Sequence, residues 1–306
     1  MWLLLAFLSA ALLGFYDVFK KRSLRDNAVI PVLLVNTVIC SLFFLPLIVG
    51  SLWGGISTAS DLYIPEGGVR EHGFVILKSV IVLSSWICGY FAIKHLPLTI
   101  VGPINASRPV MTLLGALFIY GETLNGWQWT GVLLAIFSFF LLGRSGKKEG
   151  INFKHNRWIF LLVAAAVLGS CSGLLDKYLL APCSSGGAGI DKMFVQGWYN
   201  LYQAVMMTAV LLLVWFPVRK KTTPFQWRWS IIFISVFLTV ADLAYFYALS
   251  QPGAMISVVS MVRRSSVLVS FLFGALVFHE KNLKSKAFDL LLVLLGVICL
   301  YIGTSH

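Results

Sequence analysis

The sequence predicts an all-α, polytopic membrane protein with ten transmembrane helices arranged as two inverted five-helix repeats. The first reason is composition: 58% of the 306 residues are hydrophobic, only 12% are charged, and the mean hydropathy is +0.87. A soluble domain of this size carries about twice that share of charged residues. The second reason is a series of long apolar runs, and the third is an internal repeat that contains an odd number of them.

Ten apolar runs are long enough to cross a hydrocarbon layer, which takes roughly 20 helical residues. Each is expected to be helical because a backbone exposed to lipid must satisfy its own hydrogen bonds. Basic residues follow the first run and none precedes Trp2, so we expect a retained helix rather than a signal peptide. The expected spans are about 1–19, 31–50, 74–93, 98–120, 127–143, 158–176, 193–216, 229–249, 254–278 and 287–303.

Basic residues are concentrated in the odd-numbered loops, and the even loops hold only Arg70 and Lys192. An excess of Lys and Arg marks the cytoplasmic side, which predicts both termini outside. The expected location is a bacterial inner (plasma) membrane. The net charge of +12 is therefore a topology signal that requires no nucleic-acid partner. The basic residues of the odd loops are Lys20, Lys21, Arg22, Arg25, Lys94, Arg144, Lys147, Lys148, Lys154, Arg157, Arg219, Lys220, Lys221, Arg228, Lys281, Lys284 and Lys286.

The two halves of the chain resemble each other at an offset of 155 residues. The matches are AALLG at 10–14 with AAVLG at 165–169, YF at 90–91 with YF at 245–246, and Pro97 with Pro252. GALFIYGE, ending at Glu122, also resembles GALVFHE, ending at Glu280, after a slip of two or three residues. Five runs per copy make the second copy enter the membrane from the opposite side, as in many secondary transporters. We expect a first repeat at 1–146, a basic linker at 147–157 and a second repeat at 158–306.

Three segments resemble the EamA-type transporters of the drug/metabolite transporter superfamily. They are the segment from KSVIVLSSW to GALFIYGE (78–122), the segment from YFYALSQPG to LLVLLG (245–296), and LLDKYLL at 174–180. The resemblance implies a ten-helix carrier for small metabolites, often an exporter. It also suggests a function for Asp176 and Lys177, although an ion pair at the outer rim explains them equally well. The Gly- and Ser-rich loop at 51–73 departs from the family pattern.

Two adjacent arginines lie inside the ninth apolar run. At 1.5 Å per residue, Arg263 lies about 15 Å beyond Gly253, near the middle of the bilayer. Its counterpart at the 155-residue offset is Arg108, so we expect both side chains to face a central cavity and bind a carboxylate or phosphate. Arg264 points about 100° away around the helix and is expected to pair with a carboxylate.

Other roles for the arginines stay open at this point. A structural ion pair with Asp242, a bond to a carbonyl freed by Pro103 or Pro109, and snorkelling towards an interface are the alternatives to substrate binding. Asp242 is the one carboxylate expected near the middle of a span. Its candidate roles are proton coupling, structural pairing and direct contact with the substrate.

Further polar and aromatic residues within the spans are candidates for lining the cavity, or for helix packing. Glu122 and Glu280 close equivalent helices and are expected to fix the following turns. Asp176 and Arg264 complete the expected structural pairs, and Lys177 joins the substrate-binding candidates. The other substrate-binding candidates are Trp86, Tyr90, Asn105, Tyr199, Gln203 and Tyr245.

The chain lacks the motifs of several other classes. GRSGKK at 143–148 does not have the spacing of a phosphate-binding loop, no H-E-x-x-H occurs, and the five cysteines have no metal-type spacing. We therefore expect no cofactor, no metal and no enzyme activity. The sequence favours a secondary transporter that moves an amino acid or related solute, with anionic character suggested by the arginines, by alternating access and in the export direction. An intramembrane enzyme acting on a phosphorylated lipid headgroup is the alternative. Coupling to protons and a monomeric or homodimeric state stay open.

Overall fold

The computed structural model describes residues 2–108, 110–111, 125–147, 155–180, 183–250, 262–263, 265–277 and 283–305. Within these ranges the chain forms ten α-helices of nine or more residues and no strand, which confirms the predicted fold class. The helices are α1 Trp2–Leu24, α2 Val29–Leu52, α3 Val69–His95, α4 Leu98–Ala106, α5 Gly126–Lys147, α6 Arg157–Leu180, α7 Lys192–Val210, α8 Ser230–Ser250, α9 Ser266–Leu276 and α10 Leu283–Ser305. A π-helical turn at Leu211–Trp215 and a short turn at Phe216–Val218 continue α7.

Four of the described helical segments are long and apolar enough to cross a membrane. They are Val29–Leu52, Val69–His95, Arg157–Leu180 and Lys192–Lys221. Large apolar side chains lie on the outer surface of the bundle, as in Leu213, which is 77% exposed. Apolar residues on the inner and outer faces are typical of helices that contact both protein and lipid. The protein is an integral membrane protein.

Helix packing follows an inverted twofold symmetry. α1 packs along α8, and its symmetry counterpart α6 packs along α3, while α2 packs on α7 and α5 on α10. The pairs are antiparallel: Ser9 Oγ donates to Ala241 O at 2.7 Å, and Ser23 Oγ to Ser230 Oγ at 2.7 Å. A twofold axis in the membrane plane reverses helix direction, so antiparallel partners are what inverted repeats require. The predicted inverted repeat is confirmed.

Packing between helices of different repeats divides eight of the helices into two groups, which we call bundles. The first bundle contains α1, α2, α8 and α9, and the second contains α3, α4, α6 and α7. The two bundles contact each other extensively, through α2 on α7 and α4 on α9. The twofold axis exchanges the two bundles, and α5 packs with α10 beside them. Four phenylalanines stack between α1 and α8 in the first bundle: Phe15, Phe19, Phe233 and Phe237.

Several helices extend beyond the expected apolar runs, and two of these differences change the reading of a loop. The first expected run ended at residue 19, but α1 continues to Leu24, so Lys20 and Lys21 lie in the helix rather than in a loop. Lys20 is accommodated because its Nζ lies 2.7 Å from Asp17 Oδ1, one helical turn earlier. Lys21 Nζ donates to Ile93 O at 2.6 Å. The expected loop at 51–73 is shorter, since α2 ends at Leu52 and α3 begins at Val69.

Polar side chains bond to the backbone at both ends of the helices. Asp191 precedes α7, and its carboxylate accepts the backbone N–H groups of Met193 at 2.7 Å and Phe194 at 3.1 Å, as a helix N-cap does. At the other end, which we call the basic end, the α1–α2 turn meets the α7–α8 connection. There the Asn27 Nδ2 donates to Gln226 O at 2.7 Å. The chain positions are therefore well defined on both sides of the membrane-spanning region.

Candidate functional site

The first ion pair joins α8 to the chain just before α9. The Arg263 guanidinium donates to the Asp242 carboxylate, and its Cζ lies 4.3 Å from the ring centre of Tyr245. Asp242 and Tyr245 are three positions apart and so share one face of α8. The two charged side chains are 21% and 15% exposed, and Arg263 Nε is buried with no hydrogen-bond partner among the described residues. The ion-pair alternative for Arg263 is thus present, whereas Arg264 lies outside the described residues.

A second ion pair lies in the second bundle. Lys78 of α3 donates to the Asp176 carboxylate of α6, and its Nζ lies 5.1 Å from the ring centre of Tyr199. Lys78 is buried, and Asp176 is 35% exposed. Asp176 was expected to form a rim pair with Lys177, but its partner is Lys78, which the α3–α6 packing places opposite it. The Lys177 side chain lies outside the described part of the chain.

The third ion pair lies within α1. Asp17 and Lys20 pair one turn apart, and Lys20 Nζ lies 4.1 Å from the ring centre of Tyr16 and 5.2 Å from that of Tyr90. Ser270 Oγ lies 3.4 Å from Asp17 Oδ2. Asp17 is therefore a carboxylate within a membrane-spanning helix in addition to Asp242. The i, i+3 spacing of Asp17 and Lys20 was a signal available in the sequence.

We call these three pairs, with their four tyrosines, the central polar cluster. Tyr199 lies within electrostatic range of Asp242, Asp176 and Tyr16, which connects the three pairs to one another. Each pair joins one cation to one carboxylate, and at least one tyrosine ring lies beside it. Three positive and three negative groups balance within the pairs, and Arg108, which interacts electrostatically with Asp17 and Tyr16, is a further positive group beside them.

Gln203 is the most fully buried of the candidate residues. Its side chain is 0% exposed, and neither its Nε2 nor its Oε1 has a hydrogen-bond partner among the residues that the structure describes. The Oδ1 of Asn105 is likewise buried and has no described partner. Leaving a buried polar atom unpaired costs about 1–3 kcal/mol, so natural proteins usually do it for a reason.

The remaining candidates pack within the cluster, as Tyr90 does, or beside it. Tyr90 is 1% exposed, and the half-buried Trp86 packs against the same apolar core. Arg108 follows α4 and packs over α6, where a Cβ on Gly169 would lie 2.9 Å from its Nη1, so the glycine permits this approach. Ser170 Oγ also donates to Arg108 O at 3.1 Å.

The mirror relation between Arg108 and Arg263 stays a prediction from the 155-residue offset. The described turns at Ser107 and at Ser265 are 158 residues apart. When the two repeats are matched at these turns, the counterpart of Arg263 is Asn105. The slip of two or three residues that relates GALFIYGE to GALVFHE would then begin before these turns rather than after them.

The described residues contain no candidate metal site. No group of three or more His, Cys, Asp or Glu side chains is close enough there to hold an ion. The five cysteines are free thiols, and Glu122 and Glu280 lie outside the described residues. The central polar cluster is the candidate functional site.

Two inverted five-helix repeats around a buried polar centre define a membrane transport protein of the inverted-repeat class. A model of the EamA-like transporter family matches the chain twice, at residues 1–144 and 156–302. The chain belongs to this family, whose members are transporters of small solutes. A solved structure described only as "Crystal structure of protein" has a TM-score of 0.61 and 16% identity, covering 99% of this chain and 98% of the other. That likeness concerns the fold alone. No curated protein matches the chain.

Proposed function

We propose that the protein is a secondary transporter that moves a small zwitterionic solute, an amino acid or a related metabolite, by alternating access. The observation that supports this most directly is the Asp242–Arg263 ion pair, which presents a carboxylate and a guanidinium side by side beside Tyr245. Arg263 is partly accessible, and its buried Nε has no described partner, so its guanidinium can donate to a second carboxylate.

The charge balance of the cluster favours a zwitterion over a simple anion. A solute carboxylate that takes the Arg263 guanidinium forms charge-assisted hydrogen bonds, but it displaces Asp242. An unpaired carboxylate in such a site costs several kcal/mol. A solute that also carries an ammonium group pairs with Asp242 and restores neutrality. The arginines alone suggested an anionic solute. With Asp242 included, we propose a solute that carries both a negative and a positive charge.

Gln203 is the second group assigned to solute recognition. An amide offers both a donor and an acceptor, and those of Gln203 are buried without partners in the described part of the chain. A polar group of the bound solute would supply them. Tyr199, four positions earlier on the same face of α7, connects Gln203 to the ion pairs.

The two bundles are the bodies that we propose to move. Rocking of one bundle against the other would open the cluster first to one side and then to the other. Asp242 is also the candidate for proton coupling, because displacement of Arg263 would favour its protonation. Dependence of transport on an imposed pH gradient separates this coupled form from facilitated exchange.

The orientation is also a proposal, with the basic end in the cytoplasm and both termini outside. Export is the direction we propose. Proteolysis of terminal tags on sealed, right-side-out vesicles tests the orientation, because only outside tags are removed. Release of solute from preloaded cells tests the direction.

Counterflow in proteoliposomes tests the function. Vesicles loaded with unlabelled L-leucine are diluted into labelled L-leucine, and the same is done with isoamylamine and 4-methylvalerate, which lack one charge each; a labelled L-amino acid mixture covers other side chains. We expect counterflow with zwitterions, and its loss in Asp242→Asn and Arg263→Ala. Arg228→Ala is the matched control, because the bond of that arginine to Arg22 O is exposed at the basic end.

Three outcomes contradict the proposal. Counterflow of 4-methylvalerate that equals that of L-leucine contradicts the zwitterion requirement. Equal loss in Arg228→Ala contradicts the role of the central pair. Chemical change of an added phospholipid, without exchange of any solute, supports the intramembrane enzyme instead.

A further inference from the structure

Equivalent helices of the two repeats are interrupted by the same serine-centred turn. α4 ends at Ala106, and Ser107 has φ −80° and ψ −4°; Ser265, just before α9, has φ −65° and ψ −9°. Helical residues have ψ near −42°, so both serines turn the chain by a similar amount. Helical conformation resumes directly afterwards in each case.

The two serine hydroxyls bond in the same way, although the Ser107 N–H donates to Pro103 O, four residues earlier, and the Ser265 N–H to Val262 O, three residues earlier. Ser107 Oγ donates to Ile104 O at 2.7 Å, and Ser265 Oγ donates to Val262 O at 2.6 Å. Each serine carbonyl then accepts the N–H three residues later, from Val110 at 3.0 Å and from Leu268 at 2.9 Å. A serine hydroxyl that bonds back to the preceding turn competes with the helix ladder and bends helices. The agreement between the repeats makes Ser107 and Ser265 equivalent turn positions.

Each turn follows a polar residue by two positions. Arg263 precedes Ser265, and Asn105 precedes Ser107, so the turn determines the direction in which each of these side chains leaves its helix. Arg263 meets Asp242, whereas the buried Oδ1 of Asn105 has no partner in the described part of the chain. Interrupted helices in corresponding positions of two inverted repeats are a general pointer to a transport site.

We propose that Ser107 and Ser265 are a symmetry-related pair of positioning residues that hold Asn105 and Arg263 towards the transported solute. Neither hydroxyl touches the solute; each fixes the turn that aims its neighbour. The proposal rests on the transport function proposed above. It adds Asn105 as the partner of Arg263 in solute binding, in place of the mirror relation with Arg108.

The experiment compares Ser265→Ala and Ser107→Ala with Ser→Thr at the same positions. Threonine keeps a hydroxyl that bonds to a carbonyl three or four residues earlier. Ser41→Ala is the matched control, because Ser41 Oγ donates to Val38 O at 2.8 Å in the same way but within the continuous helix α2. We expect KM for L-leucine counterflow to rise about fivefold in each alanine variant, the effect of one typical hydrogen bond. The turnover number should stay within about twofold, and threonine should restore KM.

A second readout does not depend on knowing the solute. The rate at which a charged methanethiosulfonate reagent modifies Arg263→Cys, in a chain without native cysteines, reports the direction of position 263. We expect Ser265→Ala to change this rate about fivefold, with Ser265→Thr and Ser41→Ala leaving it unchanged. If the rate changes as expected while the wild-type protein exchanges no solute, the transport proposal fails and the positioning of residue 263 stands. If neither the rate nor KM responds to the alanine variants, or if Ser41→Ala responds equally, the positioning proposal is overturned.

Discussion

The loop at 53–68 offers a sharp test of how the end opposite the basic end is closed. Gly67 lies against Phe194 of α7: a Cβ at this position would be 2.3 Å from Cζ and 2.4 Å from Cε2 of the ring. Ordinary contacts of this kind are 3.4–4 Å. Phe194 is 1% exposed and packs beside His72 and Trp198, with ring centres 5.0 and 6.3 Å away, so it has little room to move.

Gly67→Ala should therefore destabilise the protein. An overlap of more than 1 Å with a buried ring falls in the overpacking class, which costs about 1–3 kcal/mol. Gly73→Ala is the matched control in α3, because a Cβ there meets nothing within 4 Å. Alanine in a helix interior is favoured over glycine by up to about 1 kcal/mol, so the control should be neutral or stabilising.

The assay is thermal unfolding of purified protein in one detergent, followed by tryptophan fluorescence, with a double-mutant cycle. In a Phe194→Ala background the ring is absent, so Gly67→Ala should lose most of its cost. A coupling energy of at least about 1 kcal/mol between the two positions is expected for groups in direct contact. Equal melting temperatures for Gly67→Ala and Gly73→Ala would refute the packing of this loop on α7.

Three further results follow from the polar contacts. Lys78→Glu should inactivate the protein, since an unpaired buried charge costs about 3–5 kcal/mol. Adding Asp176→Lys should restore folding, measured by size-exclusion chromatography, and failure of the double variant to fold would count against the pair. Lys21→Met should increase the access of a thiol reagent to the cluster from the basic end, measured by modification of Cys40. Unchanged access would contradict a closing role for the bonds of Lys21 to Ile93 O and Leu96 O. Gln203→Leu should raise the melting temperature by removing an unpaired amide and reduce counterflow; a destabilised but fully active variant would contradict its assignment to solute binding.

The sequence contains enough information for the membrane fold because each requirement of lipid is local. Every span must be apolar, and every loop charge lies next to its own span. The ten helices and the inverted repeat therefore follow from hydropathy and from an odd number of runs per copy. A hydropathy scale scores each charged residue without regard to a neighbouring opposite charge, however. The first run was therefore expected to end at residue 19. Asp17 neutralises Lys20 within the same helix, so the helix continues past it.

The candidate site was less predictable because its contacts join distant segments. Lys78 and Asp176 are 98 residues apart, and no periodicity connects them. Lys78 lay inside an expected span at 74–93, where a charge requires a partner, so its need for one was readable although the partner's identity was not. The equivalence of Asn105 and Arg263 depends on a slip before the serine turns, and only the backbone conformation locates it.

The distribution of polar contacts between the bundles indicates how a membrane protein can move while carrying buried charges. Each pair of the central polar cluster lies within one bundle: Asp17 with Lys20 and Asp242 with Arg263 in the first, and Lys78 with Asp176 in the second. If any of these pairs joined the two bundles, rocking would break it, at a cost of about 3–5 kcal/mol.

Among the described residues, two lysines make polar contacts that join the bundles at the basic end, where water can replace them. Lys21 of the first bundle donates to Ile93 O of the second at 2.6 Å, and Lys94 of the second bundle donates to Asn27 O at 2.8 Å. At the opposite end the loop at 53–68 closes the structure through apolar contacts, with Ile64 only 3% exposed against α7. Opening the basic end would thus exchange lysine–carbonyl bonds for hydration, whereas opening the opposite end would expose apolar surface. The two openings therefore respond to different perturbations: substitution of the lysines should favour the first, and truncation of Ile64 should favour the second.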